Sequence, residues 1–281
     1  MRFFEFIATR ERPWPRSFDD LDEEIGEYIN DLYLDDLPQG WGGDLVCAFK
    51  RFYPKCRRHL TTSELYLKNW ARVTARRRAI PASRDLIIGM ASAALLDKNV
   101  PMAFCLLLSF VGLLRVSEVL TATPRQFALL GGGSLLTLAL PDSKGAKRQG
   151  MAEQVTFYDP TVLRLAAVVL RRGRPHERIL GLNYPAFAAE VARLGRKFGV
   201  DSPRFTPYCL RRGGATWHFT KYASYDATQH LGRWAQAKTA KQYIDQATAE
   251  ATEVNLPDWG KDRLDLANRC FAQLLEEAVG V

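Results

Sequence analysis

Apolar residues in the first part of the chain recur at helical spacing. Leu21, Ile25, Tyr28, Ile29 and Leu32 share one face, and Ser17 followed by Asp19, Asp20 and Asp22 marks a helix start with acids at its positive end. Pro38-Gln39-Gly40 interrupts the pattern. A second helix is predicted from about Gly43 to Phe52, closed by Pro54, and a third opens at Thr62 with Leu65, Leu67 and Trp70 inside it. Met1–Arg16 mixes charges and aromatics and receives neither a signal peptide nor a regular element. Arg72–Pro81, with Arg76, Arg77 and Arg78 in a row, reads as a basic connector, either a solvated linker or a strap along phosphates. It sets the expected division into a helical domain, 1–80, and a larger domain, 81–281.

From Ser83 the pattern changes twice. Leu86–Leu96 and Met102–Leu120 read as two buried helices. Phe127–Leu130, Leu135–Leu140 and Gln154–Phe157 read as short strands, the first pair joined by Gly131-Gly132-Gly133 and the second by Asp142–Gly150. Helical spacing resumes at Pro160–Arg172, Tyr184–Phe198, Leu210–Lys221, Tyr225–Leu231 and Ala237–Tyr243. An amphipathic helix closes the chain over Arg263–Ala278, with Leu264, Leu266, Ala267, Cys270, Phe271, Leu274 and Leu275 on its apolar side. The fold class is therefore mainly α with a small antiparallel three-stranded sheet, α+β.

Composition narrows the function. A formal charge of +8 favours a polyanionic partner, of which nucleic acid is the commonest. The most apolar run, Met102–Leu114, falls short of the roughly 20 residues a membrane helix needs, so no membrane association is expected. The five cysteines form no close pair, which argues against a disulfide framework and fits a reducing, intracellular setting, cytoplasm or nucleus. Cys47, Cys56 and His59 lack a fourth ligand at usable spacing, and no metal site is assigned.

The candidate chemistry is phosphate chemistry. Cleaving a phosphodiester needs fixed cations on the non-bridging oxygens, an in-line nucleophile and a proton for the departing oxygen. Arginine grips phosphate with a planar fork and keeps its charge; lysine can give up a proton. Arg115 follows an apolar stretch, and Glu118, three residues on, can hold its guanidinium. Lys144 and Lys147 lie in the turn between two strands. Arg211 sits near a helix start that follows Thr206-Pro207, where amide donors also serve phosphate, and Tyr208 can donate beside it. Trp234 precedes Tyr243 by nine residues. Taken singly, each piece also reads as a surface ion pair, a solvated turn or a core aromatic.

Together and in this order, the residues resemble the tyrosine recombinase (phage integrase) family. That family's pattern runs Arg, Lys, His-x-x-Arg, His or Trp, Tyr, and this chain reads Arg115, Lys144, Tyr208-x-x-Arg211, Trp234, Tyr243. Trp at the penultimate place and the Gly232-x-Trp234 step are similar to Cre-type recombinases, and Glu118 matches the acid that follows the first arginine. The resemblance covers about Ser83–Asp245, and the N-terminal helices are similar in kind to the family's core-binding domain.

The resemblance implies a site-specific DNA recombinase or integrase. Tyr243 would attack the scissile phosphate to give a 3′-phosphotyrosyl link and a free 5′-hydroxyl. Lys144 would be the general acid, preferred to Lys147 because Ser-Lys-Gly-x-Lys looks like the family's Gly-Lys-Gly-x-Lys turn. Bond energy stays in the covalent link, so neither metal, ATP nor another cofactor is called for. Double-stranded DNA is the implied partner, with Arg76, Arg77, Arg78, Lys147, Arg148, Arg212, Arg233 and Lys241 as candidates for holding its backbone. Self-association into a dimer or tetramer on DNA is implied too, the last helix packing either on its own domain or into a neighbouring protomer. One departure stands out: Tyr208 occupies the histidine place, and a phenol with pKa near 10 donates hydrogen bonds but is a poor base. A DNA-binding protein without strand transfer, or a type IB topoisomerase-like relaxing enzyme, are the alternatives.

Overall fold

Backbone hydrogen bonds from Ile80 to the Arg204 carbonyl and from Ala82 to the Cys209 carbonyl, 3.2 Å each, tie the end of the basic connector to the larger part of the chain. The chain accordingly divides into two compact units, Met1–Arg77 and Arg78–Val281. The structure, a computed structural model, describes residues 2–10, 14–74, 79–141, 152–244, 250 and 255–280.

The first unit contains four described α-helices: α1 (Arg2–Thr9), α2 (Phe18–Leu34), α3 (Gln39–Phe52) and α4 (Thr61–Val73). Phe3, Ile7, Ile25, Ile29, Val46 and Trp70 meet in its core. Helix α2 starts as the sequence predicts, with Ser17 and Asp20 forming a reciprocal cap. Helix α1 is not predicted; Phe3, Phe6 and Ile7 carry its helical spacing, but the run is too short to stand out against the charges around it. Helix α3 begins at Gln39 rather than Gly43, because Pro38 sits at its cap, where proline starts a helix as readily as it breaks one. Asp22 is buried and accepts hydrogen bonds from the amides of Thr62 and Ser63, 2.7 and 2.8 Å, and from the Ser63 hydroxyl. One helix thus caps the first turn of another, whose own preceding residue, Leu60, makes no side-chain cap.

The second unit begins with α5 (Arg84–Leu96) and α6 (Val100–Val111). The sequence predicts a single helix over Met102–Leu120; the structure breaks it after Val111 and starts α7 (Val116–Thr121). Gly112 packs where a Cβ would overlap the Phe157 ring, and Leu113 turns left-handed at φ 47°. Strands β1 (Phe127–Leu130), β2 (Leu135–Leu140) and β3 (Glu153–Phe157) form an antiparallel sheet in the order β1-β2-β3, with Leu138 opposite both Phe127 and Val155. The helices α8 (Pro160–Arg172), α9 (Tyr184–Arg196), α10 (Tyr208–Tyr222), α11 (Tyr225–Leu231), α12 (Ala237–Lys241) and α13 (Asp258–Gly280) follow.

Helix α6 is buried almost throughout and forms the axis of this unit. Helix α10 approaches it closely because Gly214 has no side chain, where a Cβ would overlap the Phe110 carbonyl, and Gly213 lets it approach the segment before α5, where a Cβ would overlap the Ala82 carbonyl. Two glycines in a helix cost about 1 kcal/mol each against alanine, so they mark a contact that the fold needs. Helix α13 packs on its own domain. Leu264 fills the space left by Gly89, Ser92 donates to the Ala267 carbonyl at 3.1 Å, and Arg164 of α8 pairs with Glu276 at 2.6 Å. Among the described residues no helix is long and apolar enough to cross a membrane.

Candidate active site

The breaks between helices build the site. Two helices end in the same way: α6 with Gly112 then left-handed Leu113, and α11 with Gly232 then left-handed Arg233 (φ 54°). The two turns expose their last carbonyls, and both face Arg211 on α10. Its Nη1 donates to the Leu113 carbonyl and its Nη2 to the Gly232 carbonyl at 2.6 Å. A helix C-terminus carries partial negative charge, so a pair of them stabilises a cation that the interior would otherwise reject. Among the described residues Arg211 is the largest fully buried side chain, 2% exposed. Its guanidinium lies 4.8 Å from the Trp234 ring centre and 5.6 Å from that of Tyr243, within cation–π range. Burial, and then repulsion from Arg233 and Arg115, pushes its pKa down to about 10. Its Nε is buried without a hydrogen-bond acceptor.

Arg115 stands at the cap of α7, not on the end of the preceding helix as the sequence predicts. Its amide donates to Glu118 at 2.7 Å and its Nη1 donates to the other oxygen of that carboxylate at 2.6 Å. Glu118 is therefore both helix cap and arginine anchor. Trp234 is buried and packs on Tyr243 with ring centres 4.5 Å apart. Gly232 makes this possible, since a Cβ there would overlap the indole. The Tyr243 carbonyl accepts from Thr216 of α10 at 3.3 Å, and its phenol shares a hydrogen bond with the Tyr208 hydroxyl. Tyr208 is 41% exposed; partial burial and the bond to Tyr243 push its pKa up, so it resists ionisation.

Arg115, Glu118, Tyr208, Arg211 and Tyr243 all line one cleft of about 1240 Å³. The structure thus brings together the first arginine, its acid, the tyrosine in the histidine place, the second arginine, the tryptophan and the terminal tyrosine. Lys144, Lys147, Arg148, Arg76, Arg77 and Arg78 lie outside the described residues. Lys241 is exposed and stands over the Tyr225 ring at 5.2 Å.

Two expected surface cations are not at the surface. Arg212 is buried and donates to the Ala79 carbonyl at 2.5 Å. The Arg233 side chain is 8% exposed and pairs with Glu118 at 2.6 Å and with Glu153 at 3.3 Å. The reason is local: Arg212 follows Arg211 around a helix that is buried on both sides, and the left-handed turn at 233 points its side chain inward. Glu153 is a site residue that the order of the motif does not single out. It shares a strand face with Val155 and Phe157, and an acid on the apolar face of a strand is the signal that marks it.

No family model matches the sequence, and no curated protein matches it. The fold, in contrast, is found among solved structures. It is similar to the Tn1549 transposon integrase in complex with transposon right end DNA, with a TM-score of 0.62 and 13% identity over 90% of this chain and 91% of that one. It is also similar to the XerH site-specific recombinase in a post-cleavage complex with palindromic difH substrate, with a TM-score of 0.57 and 14% identity over 90% of this chain and 75% of that one. The chain has the tyrosine recombinase fold, mainly α with one small three-stranded antiparallel sheet.

Proposed function

We propose that this protein is a site-specific DNA recombinase that breaks and rejoins DNA through Tyr243. The observation that carries the reading is the convergence of Arg115, Arg211 and the Tyr243 phenol on one cleft from three separate parts of the chain. Arg211 is held by two carbonyls yet keeps a buried, unpartnered Nε, a donor suited to a phosphate oxygen. The solved neighbours in complex with DNA support the same reading at the level of fold.

In this scheme the scissile phosphate lies between Arg115 and Arg211. The Tyr243 oxygen forms the new bond to phosphorus, the bond to the 5′ oxygen breaks, and the phenolic proton passes to the Tyr208 hydroxyl as that partly exposed hydroxyl releases its own proton to solvent water, so Tyr208 relays the proton and stays neutral. Lys144 supplies the proton to the departing 5′ oxygen. A 5′-hydroxyl of a second strand then reverses the step and frees Tyr243. Fixed guanidiniums stabilise charge that grows only in the transition state, which is where binding accelerates a reaction. The first unit would act as a core-binding domain, with Arg76–Arg78 along the backbone and two or four protomers on the DNA.

The test is covalent capture. Wild-type protein is mixed with supercoiled plasmid and with nicked duplexes of randomised sequence, and detergent-stable protein–DNA adducts are sought. Adducts are expected in the wild type and absent in Tyr243→Phe, which should still bind duplex with an affinity that falls steeply with salt. Adducts that survive Tyr243→Phe would remove the proposed nucleophile. Binding without adducts would leave a DNA-binding protein on this fold, an outcome that Tyr208 in the histidine place favours.

A further inference from the structure

Arg233 occupies a position that glycine normally fills. It follows the helix-ending Gly232, its amide bonds the His230 carbonyl at 3.0 Å, and the next amide, of Trp234, bonds the Gln229 carbonyl at 3.1 Å. Its φ of 54° is disfavoured for any residue with a Cβ. A long, charged side chain held in that conformation and then buried calls for a use.

Its contacts indicate one. Nη2 donates to Glu118 Oε2 at 2.6 Å, and Nε faces Glu153 Oε2 at 3.3 Å. Nη1 reaches the carbonyls of Gly112 and Leu231 at 3.4 Å, the ends of two helices. Arg115 competes for the same two acids: it holds Glu118 Oε1 at 2.6 Å and stands 3.8 Å from Glu153 Oε2. Arg233 thus occupies Glu153 and fixes one oxygen of Glu118, which leaves the other oxygen to orient Arg115.

We infer that Arg233 is a positioning residue, which keeps Arg115 turned to the cleft by occupying Glu153 and sharing Glu118. Removing Arg233 would take the nearer cation from Glu153, and its carboxylate would draw Arg115 away from the phosphate. The inference rests on the recombinase reading of the cleft for its consequence, but not for the geometry it asserts. A role confined to stability, as a cation on two helix ends, predicts a different outcome.

The test compares wild type, Arg233→Gly and Arg233→Gly with Glu153→Gln. Glycine suits the left-handed backbone, so the turn itself is preserved. Arg233→Gly should form adduct on nicked randomised duplexes about 10 to 100 times more slowly, in the range of a lost transition-state donor, with duplex affinity within about threefold because the side chain is buried. Adding Glu153→Gln should restore part of the rate, since the competing charge is gone; a purely structural loss would not recover. Arginine side-chain NMR reads the positioning directly: restricted Arg115 guanidinium signals in wild type should average in Arg233→Gly and sharpen again in the double variant. Should Arg233→Gly not fold, Arg233→Asn, which tolerates the left-handed backbone and carries no charge, gives the same comparison. An unimpaired Arg233→Gly, or Arg115 signals that do not change, overturns the inference. Wild type without any adduct sinks the recombinase reading instead, and the NMR comparison still decides whether Arg233 holds Arg115.

Discussion

Replacing Arg211 with lysine tests the physical core of the site. The guanidinium divides its two Nη groups between the carbonyls of Leu113 and Gly232 and lies over the Trp234 ring. A lysine of similar length keeps the charge but presents one compact ammonium, which cannot hold both carbonyls in that geometry and is more strongly hydrated. One helix-terminal carbonyl then loses a charged donor in a buried setting, a cost of about 1.5–3 kcal/mol. For a unit of this size that is a fall of about 2–4 °C in melting temperature per kcal/mol, so Arg211→Lys should melt about 3–12 °C lower. Adduct formation should fall on the order of a hundredfold, as for a lost oxyanion donor. The pH dependence adds a second reading. Burial first, and repulsion from Arg233 and Arg115 second, bring Arg211 down to about 10. Near neutrality it is protonated in both folded and unfolded chains, so its burden on the fold is constant there and eases only as pH rises past 10. A lysine starts from about 10.4 rather than 12.5 or above, and the same surroundings move its titration toward the assay range. Arg211→Lys should therefore lose still more activity between pH 7 and 9, while wild type should not lose activity through this group. Scanning calorimetry and adduct kinetics measure both. A variant that melts within 1–2 °C of wild type and reacts at an undiminished rate would refute the account of Arg211 as a cation shared by two helix ends.

Gly232→Ala should displace the Trp234 indole and with it the Tyr243 ring, cutting adduct yield while far-ultraviolet circular dichroism stays unchanged; an active, unperturbed variant would contradict the packing described. Tyr208→Phe removes the hydroxyl bonded to Tyr243 and should slow adduct formation about tenfold or more, whereas Tyr208→His should retain or raise the rate near neutral pH; equal rates in all three would show that the phenol pair is idle. Burial works to raise the pKa of Asp22, but hydrogen bonds from Ser63 and Thr62 outweigh it and hold the carboxyl below its usual range. Its contribution is then present above pH ~3.9 and lost as pH falls through the lower folded value. Asp22→Asn should destabilise the first unit by about 1–3 kcal/mol at pH 7 in chemical denaturation, and a neutral result would dismiss Asp22 as the cap of α4.

Several features were legible because they depend on local sequence. Periodicity locates the strands Phe127–Leu130 and Leu135–Leu140 and the helices Pro160–Arg172 and Tyr225–Leu231 at their observed bounds, since alternation and helical spacing report directly which face is buried. The resemblance to the tyrosine recombinase pattern also picks out Arg115, Tyr208, Arg211, Trp234 and Tyr243 as a set, and these side chains lie together in the folded chain.

Only the tertiary structure decided what those side chains do to one another. An apolar run reads as continuous helix until a neighbouring ring, Phe157, fills the space beside Gly112 and ends it. Arg212 and Arg233 look like surface cations in the sequence, and become buried because one reaches the Ala79 carbonyl and the other sits on a left-handed turn. The pairing of Arg233 with Glu118 and Glu153 joins residues 115 and 80 positions apart, and the carbonyls that hold Arg211 carry no side-chain signature at all. Local pattern records burial, whereas charge partnership depends on distance in space, and the chain acquires those distances only by folding.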